Sequence, residues 1–507
     1  MSSVKIVKTL NTLIAPPGAG KTTWLINRLS LYQDEHSILA FPTKILSAEV
    51  QNRMQDLKMD FNAIDSNTVE GSVVQCLEES LLNRTHRTLI CTHESLRLIN
   101  PETLHGWRLY VDEVPTTWDC STYSFTDLSY RKAFGDLTNV TKVGDKNRLN
   151  AKDDCRTLIE RLANGNDSTL TSDARSILKA LLDYRYIVEV EELDSKLKRT
   201  VRIIGIKHYI PAFDAAEEAL IMGAEVEKTL LGITLKGAGW CISPIVVSID
   251  FAGYGNKVEI HPFFRNRSYS KSAALMKAGK SYPDYQEDCL LDAWLKVDVF
   301  RIIGNRKAIL VAHQWCKPEL PVPQGHDDSN IKFIPIDNRG INEYFEYNIA
   351  ICLQHGNITP IEGRSLLTLA ELLSIESTVT SNEIKDAVKY ERFYESTLQS
   401  VCRTSLRSRT SLSNILLFVQ DLDIAKFLAE KIGNCEINEA LSETYIAPES
   451  VSKTKKESLK QKAISLWDQK YSIEDIAREI GRTTRTVSSW LSPYRKSQQI
   501  DKLEISS

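Results

Sequence analysis

The sequence predicts an α/β fold with parallel sheets, an inserted subdomain, and a separate all-α unit at the C-terminus. Three observations lead to this prediction. Short apolar runs alternate with helical patterns and end in polar residues, which is typical of parallel sheets with a functional edge. Residues 116–211 interrupt that alternation. Residues 451–507 carry twelve Lys or Arg against seven Asp or Glu, whereas the whole chain has a net charge of -3.

The first apolar run leads into a glycine-rich turn. Residues 9–15 predict a strand, residues 22–33 predict a helix, and the turn between them reads APPGAGKTT. In such a turn backbone N–H groups surround phosphate oxygens, the lysine reaches the β- and γ-phosphates, and the next hydroxyl binds Mg²⁺. The helix dipole adds to the attraction for phosphate. The predicted ATP-binding residues are Pro17, Gly18, Ala19, Gly20, Lys21, Thr22 and Thr23.

The fourth apolar run, residues 109–111, ends in two carboxylates, Asp112 and Glu113. A carboxylate at the end of a strand can hold Mg²⁺, and a second one beside it can activate the attacking water. Because this pair follows a phosphate loop, the sequence predicts that Asp112 and Thr22 bind Mg²⁺ and that Glu113 activates the attacking water.

The second and third apolar runs, residues 37–41 and 88–91, also end in polar turns. The order APPGAGKT, FPTK, THESL, VDEV resembles motifs I, Ia, Ib and II of superfamily 2 helicases of the DEAD/DEAH-like group. The resemblance implies two RecA-like P-loop domains. DEVP replaces DEAD or DEAH, and no adenine-reading glutamine precedes the phosphate loop. The residues that the resemblance implies for contact with a nucleic-acid backbone are Pro42, Thr43, Lys44, Thr92 and His93.

Residues 116–211 stand where that family has a short link. Within them, residues 186–190 and 201–204 flank a polar turn and predict a β-hairpin. The hairpin could separate nucleic-acid strands or brace the insertion. We favour bracing, because hairpins are common and wedges are few.

A further strand is predicted at residues 219–222, and the segment after it resembles motif III as much as it resembles a plain strand end. Residues 225–300 give weak signals. A second α/β unit begins at residues 307–312, and its strand 333–336 runs into a segment that resembles motif V. That resemblance implies that Arg339 and Gly340 face the nucleic-acid backbone and that Asn342 meets the ribose of ATP.

The pattern formed by Gln399, Arg403 and Arg407 resembles motif VI, whose arginines reach the γ-phosphate from the second domain. Guanidinium groups suit that role because they stay charged and spread their donors over several oxygens. The family spaces its second arginine three residues on, whereas the spacing here is four. Arg409 therefore stays open as an alternative.

The basic C-terminal segment predicts three short helices with inward-facing apolar residues and a Gly in the second turn. This pattern resembles a helix-turn-helix of the resolvase or transposase type. A protein-docking three-helix module is the alternative. The residues expected in the DNA major groove or on its phosphates are Arg482, Thr484, Arg485 and Ser488.

The length of 507 residues favours three or four units. The predicted domains are a first RecA-like domain at 1–115 with 212–300, an inserted subdomain at 116–211, a second RecA-like domain at 301–450, and the helix-turn-helix at 451–507. No apolar run approaches the roughly 18 residues of a membrane span, and no CxxC occurs among ten cysteines. We therefore expect a cytoplasmic protein without a structural zinc site or a membrane partner.

Together these patterns predict an ATP-dependent helicase or translocase that uses ATP and Mg²⁺. We expect it to act on DNA, or on RNA, in the replication of a phage or mobile element, with other replication proteins as further partners and the oligomeric state open. Two alternatives remain. A terminase-like packaging ATPase would add a nuclease, for which Asp250 could supply a carboxylate. A regulator would use ATP binding as a switch while its tail binds DNA.

Overall fold

The computed structural model describes residues 8–32, 34–165, 170–249, 251–278, 289–316, 320–322, 329–336, 343–358, 360–375, 377–408, 411, 413–446, 451–469 and 471–492. The chain forms two compact units. One comprises Met1–Ala274 with Leu295–Glu443, and the other comprises Leu275–Trp294 with Thr444–Ser507.

The strands in the described part of the chain are β1 (Thr9–Ile14), β2 (Ser37–Phe41), β3 (Phe61–Ala63), β4 (Thr88–Thr92), β5 (Arg108–Asp112), β6 (Trp118–Thr126), β7 (Thr138–Val143), β8 (Lys146–Ala151), β9 (Tyr186–Val190), β10 (Lys198–Ile206), β11 (Glu218–Gly223), β12 (Cys241–Pro244), β13 (Val258–Phe264), β14 (Ala308–Val311), β15 (Ile331–Ile334), β16 (Ile349–Cys352), β17 (Ile415–Asp421) and β18 (Cys435–Ile437).

The helices in the same part of the chain are α1 (Lys21–Leu31), α2 (Lys44–Asp56), α3 (Val73–Asn83), α4 (His93–Leu96), α5 (Asp127–Phe134), α6 (Arg156–Asn164), α7 (Ser172–Leu182), α8 (Ile210–Ala215), α9 (Leu230–Gly237), α10 (Lys271–Ala274), α11 (Leu290–Ala293), α12 (Phe300–Ile303), α13 (Pro360–Leu373), α14 (Ser381–Lys389), α15 (Ser396–Val401), α16 (Leu422–Ile432), α17 (Val451–Asp468), α18 (Ile473–Ile480) and α19 (484–492). Two π-helical segments lie at Trp294–Val299 and Tyr390–Glu395.

The first sheet has seven parallel strands in the order β12-β1-β11-β5-β2-β4-β3. Apolar side chains fill both of its faces, against α1 and α2 on one side and α3, α8 and α9 on the other. Such burial on both faces requires near-continuous apolar strands, and β2 is buried along its whole length. The α/β prediction with a parallel sheet is confirmed.

The insertion forms a five-stranded sheet in the order β6-β10-β9-β8-β7, with antiparallel pairs. Helices α5, α6 and α7 cover one face of it. The predicted hairpin is present, because β9 and β10 pair antiparallel with Val190 opposite Val201. Both strands lie inside the sheet, between β6 and β8. The hairpin is therefore braced by strands on both sides and does not project alone as a wedge.

The insertion packs against helices that lie in the chain between β16 and β17. An apolar cluster joins Trp118 and Ile204 of the insertion to Leu366 and Leu369 of α13. Beside it, the buried Glu189 carboxylate accepts a hydrogen bond of 2.5 Å from Thr368. The insertion is thus attached by sequence to the first sheet and by packing to the second α/β unit.

The second sheet has six parallel strands in the order β15-β14-β16-β17-β13-β18. Its strand β13 differs from the prediction, which assigned residues 212–300 to the first domain. Val258 of β13 pairs with Ile415 of β17. Because that partner lies far along the chain, no local pattern indicated which sheet β13 joins. With this difference, the fold has the two RecA-like α/β units that the sequence predicted. Both lie within the compact unit that comprises Met1–Ala274 with Leu295–Glu443.

The C-terminal helices α17, α18 and α19 surround a small apolar core that contains Ala463, Ile476, Ala477, Val487 and Leu491. The Ser472 hydroxyl caps α18 by accepting a hydrogen bond of 3.1 Å from the Asp475 backbone N–H. Gly481 follows α18 in a left-handed conformation at φ 65°, which ends the helix. Within the described residues no helix has the length and apolar character needed to cross a membrane.

Candidate active site

The phosphate loop lies between β1 and α1, as the sequence predicted. Gly18 and Gly20 have φ of 80° and 100°, a left-handed conformation that glycine adopts without steric cost. Gly20 stands at the N-cap of α1 and has no side chain to cover the first N–H groups of the helix. Those groups are the donors that a phosphate requires. The Lys21 ammonium donates to the carbonyl oxygens of Ala15 and Pro16, at 2.6 and 3.2 Å.

Asp112 is the last residue of β5 and Glu113 follows it, and β11 lies between β5 and β1. The register places Met222 of β11 beside Asp112, and Gly223 beside Ile14 at the end of β1. The loop and the carboxylates therefore meet at one edge of the sheet. Glu113 has a φ of 61°, and its backbone N–H donates to the Met222 carbonyl at 2.9 Å. This left-handed residue turns the chain away from the sheet directly after Asp112.

Burial dominates the electrostatics of this edge. Burial, followed by the charge of the neighbouring Glu113, raises the pKa of Asp112 to about 7, while Lys21 acts in the opposite direction. Burial also lowers the pKa of Lys21, against the opposing effect of Asp112 and Glu113. The Asp112 and Glu113 carboxylates are neighbours here. An additional positive charge would stabilise their ionised form.

A Mg²⁺ ion fits this donor set. Hard oxygen ligands suit Mg²⁺, which keeps several waters and shares its remaining positions with phosphate oxygens. Asp112 and the Thr22 hydroxyl could supply protein oxygens at this place. In the described part of the chain no group of three or more His, Cys, Asp or Glu side chains is placed to hold a metal ion.

The opposite wall of the site comes from the second α/β unit. Helix α14, the π-helical segment and α15 form one continuous run from Ser381 to Val401. Arg403 and Arg407 follow that run. A Cβ atom added at Gly18 would lie 2.5 Å from Arg407 Cγ, so the Arg407 side chain rests directly on the phosphate loop. Arg403 is buried, and burial lowers its pKa while Glu113 opposes the shift.

A cavity of about 490 Å³ separates the two walls, a size within the range typical of ligand sites. We call it the nucleotide cavity. Lys21, Asp112 and Glu113 line it from the first sheet, and Arg403 and Arg407 line it from the second unit. The structure thus brings all the predicted catalytic residues around one space. The predicted ATP-binding residues from Pro17 to Thr23 line the same cavity.

Two residues at or beside this cavity were not singled out from the sequence, Tyr254 and Glu395. The Tyr254 hydroxyl donates to the Pro17 carbonyl at 2.7 Å and lies 3.3 Å from Cys402 Sγ. It therefore connects the phosphate loop to the opposite wall, and no local pattern marks it. Glu395 lines the cavity. Its position four residues before Gln399 is a helical spacing that sequence reasoning could have used.

The residues of the first sheet that were predicted to bind a nucleic-acid backbone lie at the ends of, or directly after, strands that end at this same edge. Phe41 at the end of β2 pairs with Thr92 at the end of β4. The hydroxyls of Thr43 and Thr92 cap α2 and α4 by accepting backbone N–H groups at 3.3 and 3.2 Å. The exposed Lys44 ammonium donates to Asn67 Oδ1 at 3.0 Å. Asn67 belongs to a neighbouring turn that the sequence analysis did not single out.

His93 requires a correction. Its ring is buried, and Nε2 lies 3.0 Å from the Asp112 carbonyl oxygen. The ring also meets Tyr209 edge-on at a centroid distance of 6.5 Å. A side chain in this position supports the end of β5 and does not reach a nucleic acid.

Several predicted residues lie outside the described residues. These are Arg339, Gly340 and Asn342 of the segment that resembles motif V, the alternative arginine Arg409, and Asp250.

In the C-terminal unit, the predicted DNA contacts lie at the start of α19 and just before it. Arg482, Thr484 and Arg485 are exposed, and Ser488 is half-buried. The Thr483 hydroxyl caps α19 by accepting the Thr486 backbone N–H at 3.3 Å. The cap orients the first turn of α19, so that polar and basic side chains face solvent while Val487 and Leu491 face the core.

Comparisons with known proteins find similarity over different parts of the chain. The model of the Terminase_5 family, described as "Putative ATPase subunit of terminase (gpP-like)", matches residues 458–504. That match covers the C-terminal helices alone. No match is found among curated proteins.

Solved structures similar to this chain include apo XPD, at 10% identity and a TM-score of 0.47 over 85% of this chain and 97% of that one. S. tokodaii Xpd4 matches at 9% identity and a TM-score of 0.48, over 85% and 96% of the two chains. S. cerevisiae Dbp5 bound to RNA and ADP BeF3 matches at 9% identity and a TM-score of 0.36, over 86% and 85%. These similarities are too distant to carry a functional argument, which rests on the site itself.

Proposed function

We propose that this chain is an ATP-hydrolysing motor of superfamily 2 type, a helicase or translocase that acts on nucleic acid and uses its C-terminal helices to bind DNA. The observation that supports it most is the nucleotide cavity. A phosphate loop, two carboxylates and two arginines line that one space from two different sheets. A simple nucleotide-binding protein does not need arginines from a second unit.

Each residue has a role that follows from its position. Lys21 neutralises the β- and γ-phosphates, and the N–H groups at the start of α1 bind phosphate oxygens. Glu113 orients and activates the attacking water. Arg403 and Arg407 stabilise the charge that develops on the transferred phosphoryl group. Asp112 and Thr22 would hold Mg²⁺, which neutralises phosphate charge when bound.

Movement would follow from the two-walled construction. Because Arg407 contacts the phosphate loop and belongs to the second α/β unit, ATP between the walls would favour one arrangement of the two units and its hydrolysis another. The edge that carries Pro42, Thr43, Lys44 and Thr92 would hold the nucleic-acid backbone. The basic C-terminal helices would bring the motor to its DNA. We propose replication of a phage or mobile element as its setting.

The decisive experiment measures ATP hydrolysis with and without single-stranded DNA or RNA. We expect stimulation by nucleic acid, and loss of at least 100-fold in hydrolysis in Glu113→Gln, in the range of effects seen when a catalytic group is removed. Lys132→Ala, an exposed lysine on α5, is the matched control and should retain full activity. If nucleic acid does not stimulate hydrolysis, the regulator alternative is favoured.

Strand displacement on DNA and RNA duplexes with 3′ or 5′ overhangs would then separate unwinding from translocation and give polarity. Removal of residues 451–507 should weaken binding to specific DNA and leave basal ATP hydrolysis intact. If hydrolysis is lost as well, the C-terminal helices are part of the motor.

A terminase-like packaging ATPase is the second candidate, and the family match at residues 458–504 favours it. This candidate requires a nuclease, for which the sequence offers Asp250. Metal-dependent DNA cleavage that is lost in Asp250→Ala, together with unchanged hydrolysis in Arg403→Ala, would establish the packaging ATPase in place of the helicase.

A further inference from the structure

We propose that Glu395 is a positioning residue that holds Lys21, the cation of the phosphate loop, before ATP binds and withdraws when the triphosphate arrives. This inference rests on the proposed ATPase function. In this role Glu395, a residue of the second α/β unit, senses the nucleotide. The binding of ATP then moves the second α/β unit.

The first support is the place of Glu395 in its helix. It is the last residue of the π-helical segment Tyr390–Glu395, which interrupts the continuous run from Ser381 to Val401. Segments of this kind occur frequently at functional sites, because they change the direction of the side chains that follow. Glu395 and Gln399 are four residues apart and share one helix face, and both side chains line the nucleotide cavity.

The second support is burial between two cavities. Glu395 is 8% exposed. It lines the nucleotide cavity and also a second cavity of about 800 Å³ between the insertion and the second α/β unit. Glu113 and Gln399 line both cavities as well. These three residues form a common wall, so a side chain that leaves the nucleotide cavity has space on the other side.

The third support is charge. Lys21 lines the nucleotide cavity together with three carboxylates, those of Asp112, Glu113 and Glu395. Asp112 and Glu113 belong to the first sheet and are needed for Mg²⁺ and hydrolysis. Glu395 is the member of this group that comes from the second unit. A triphosphate carries several negative charges to Lys21 and would repel the Glu395 carboxylate.

The withdrawal has a structural consequence. The second cavity is lined by Trp118, Asp119 and Thr122 of the insertion and by Arg392, one helical turn before Glu395. The Arg392 guanidinium lies over the Trp118 ring at 4.9 Å and pairs with Glu362 at 2.8 Å. A shift of the helix that carries Glu395 therefore reaches the insertion directly through Arg392 and Trp118.

The test is equilibrium binding of ADP and of a non-hydrolysable ATP analogue to the full chain without nucleic acid. Glu395→Gln keeps the shape of the side chain and removes its charge. We expect its Kd for the ATP analogue to fall about tenfold, and basal hydrolysis to rise. Glu395→Asp, which keeps the charge on a shorter side chain, should lie between the wild type and Glu395→Gln.

Glu362→Gln is the matched control, because Glu362 lines the second cavity and not the nucleotide cavity. Its Kd should match that of the wild type. An unchanged or weaker Kd in folded Glu395→Gln, with binding still abolished in Lys21→Ala, overturns this inference alone. Retained binding in Lys21→Ala overturns the proposed function itself. A change of equal size in Glu362→Gln would show a general charge effect and would also overturn the role of Glu395.

Discussion

The two walls of the nucleotide cavity are built in different ways. The phosphate-loop wall is one contiguous segment between β1 and α1, and its chemistry depends on local backbone conformation, with left-handed Gly18 and Gly20. The opposite wall uses Glu395, Gln399, Arg403 and Arg407, whose positions depend on how a second sheet packs. The first wall can therefore be predicted from the sequence alone, whereas the second can be recognised only in the folded chain.

The two walls also differ in what they offer a nucleotide. The first presents N–H groups and Lys21, which bind phosphate in the ground state as well as the transition state. The second presents guanidinium groups beside Glu113, where charge develops during hydrolysis. Mutations in the first wall should therefore affect binding and hydrolysis, and mutations of the two arginines in the second wall should affect mainly hydrolysis.

The largest effect is expected for Lys21→Ala, which removes the cation of the phosphate-loop wall. Nucleotide binding should become undetectable at millimolar ATP, and hydrolysis should fall about 1,000-fold or more, because charge-assisted contacts to phosphate are lost. Titration with a fluorescent nucleotide and a phosphate-release assay measure both. Lys132→Ala serves as the control.

Arg403→Ala and Arg407→Ala test the opposite wall. Each should lower kcat about 100-fold and change KM less than about threefold, since transition-state stabilisation by arginine is a kcat effect. Steady-state kinetics decide the matter. A rise in KM with unchanged kcat would mean that these arginines bind the ground state, and the contrast between the walls would disappear.

Gly18→Ala probes the contact between the walls. Its φ of 80° disfavours any residue with a Cβ, and the new methyl group would lie 2.5 Å from Arg407 Cγ. A left-handed non-glycine residue costs about 1–2 kcal/mol, so we expect at least a tenfold loss of nucleotide affinity. When Arg407→Ala is also present, the part of this affinity loss that comes from the clash with Arg407 should disappear. A double-mutant cycle with non-additive affinities would sharpen the comparison, and additive losses would mean that the walls do not touch in solution.

The smallest effect is expected for Tyr254→Phe, which removes the hydroxyl that links Pro17 to the opposite wall and keeps the ring. Loss of one neutral hydrogen bond costs about 1 kcal/mol, so nucleotide affinity should weaken about fivefold. Tyr184→Phe, an exposed tyrosine of the insertion, is the control. An unchanged affinity would show that this hydrogen bond supports the nucleotide-free structure and does not contribute to nucleotide binding.

Features that depend on interactions between residues close in the chain could be predicted from the sequence, and features that depend on distant residues could not. The phosphate loop and the pair Asp112 and Glu113 follow from local patterns, and the hairpin of β9 and β10 follows from alternation around a short turn. His93 shows the limit. Its side chain stands at a polar strand end like its neighbours, but packing turned it inward to the Asp112 carbonyl. Exposure of a single residue at a strand end is a tertiary property.

The sequence by itself determined elements whose stability is local, because periodicity and glycine conformations act over a few residues. These are the strand-turn-helix of the phosphate loop, the longer apolar strands of both sheets and the capped C-terminal helices. Only the tertiary structure decided that β13 joins the second sheet, that the insertion packs on α13, and that Tyr254 and Glu395 face the phosphate loop. Those outcomes depend on pairing and burial between segments far apart in the chain, where no local preference selects the partner.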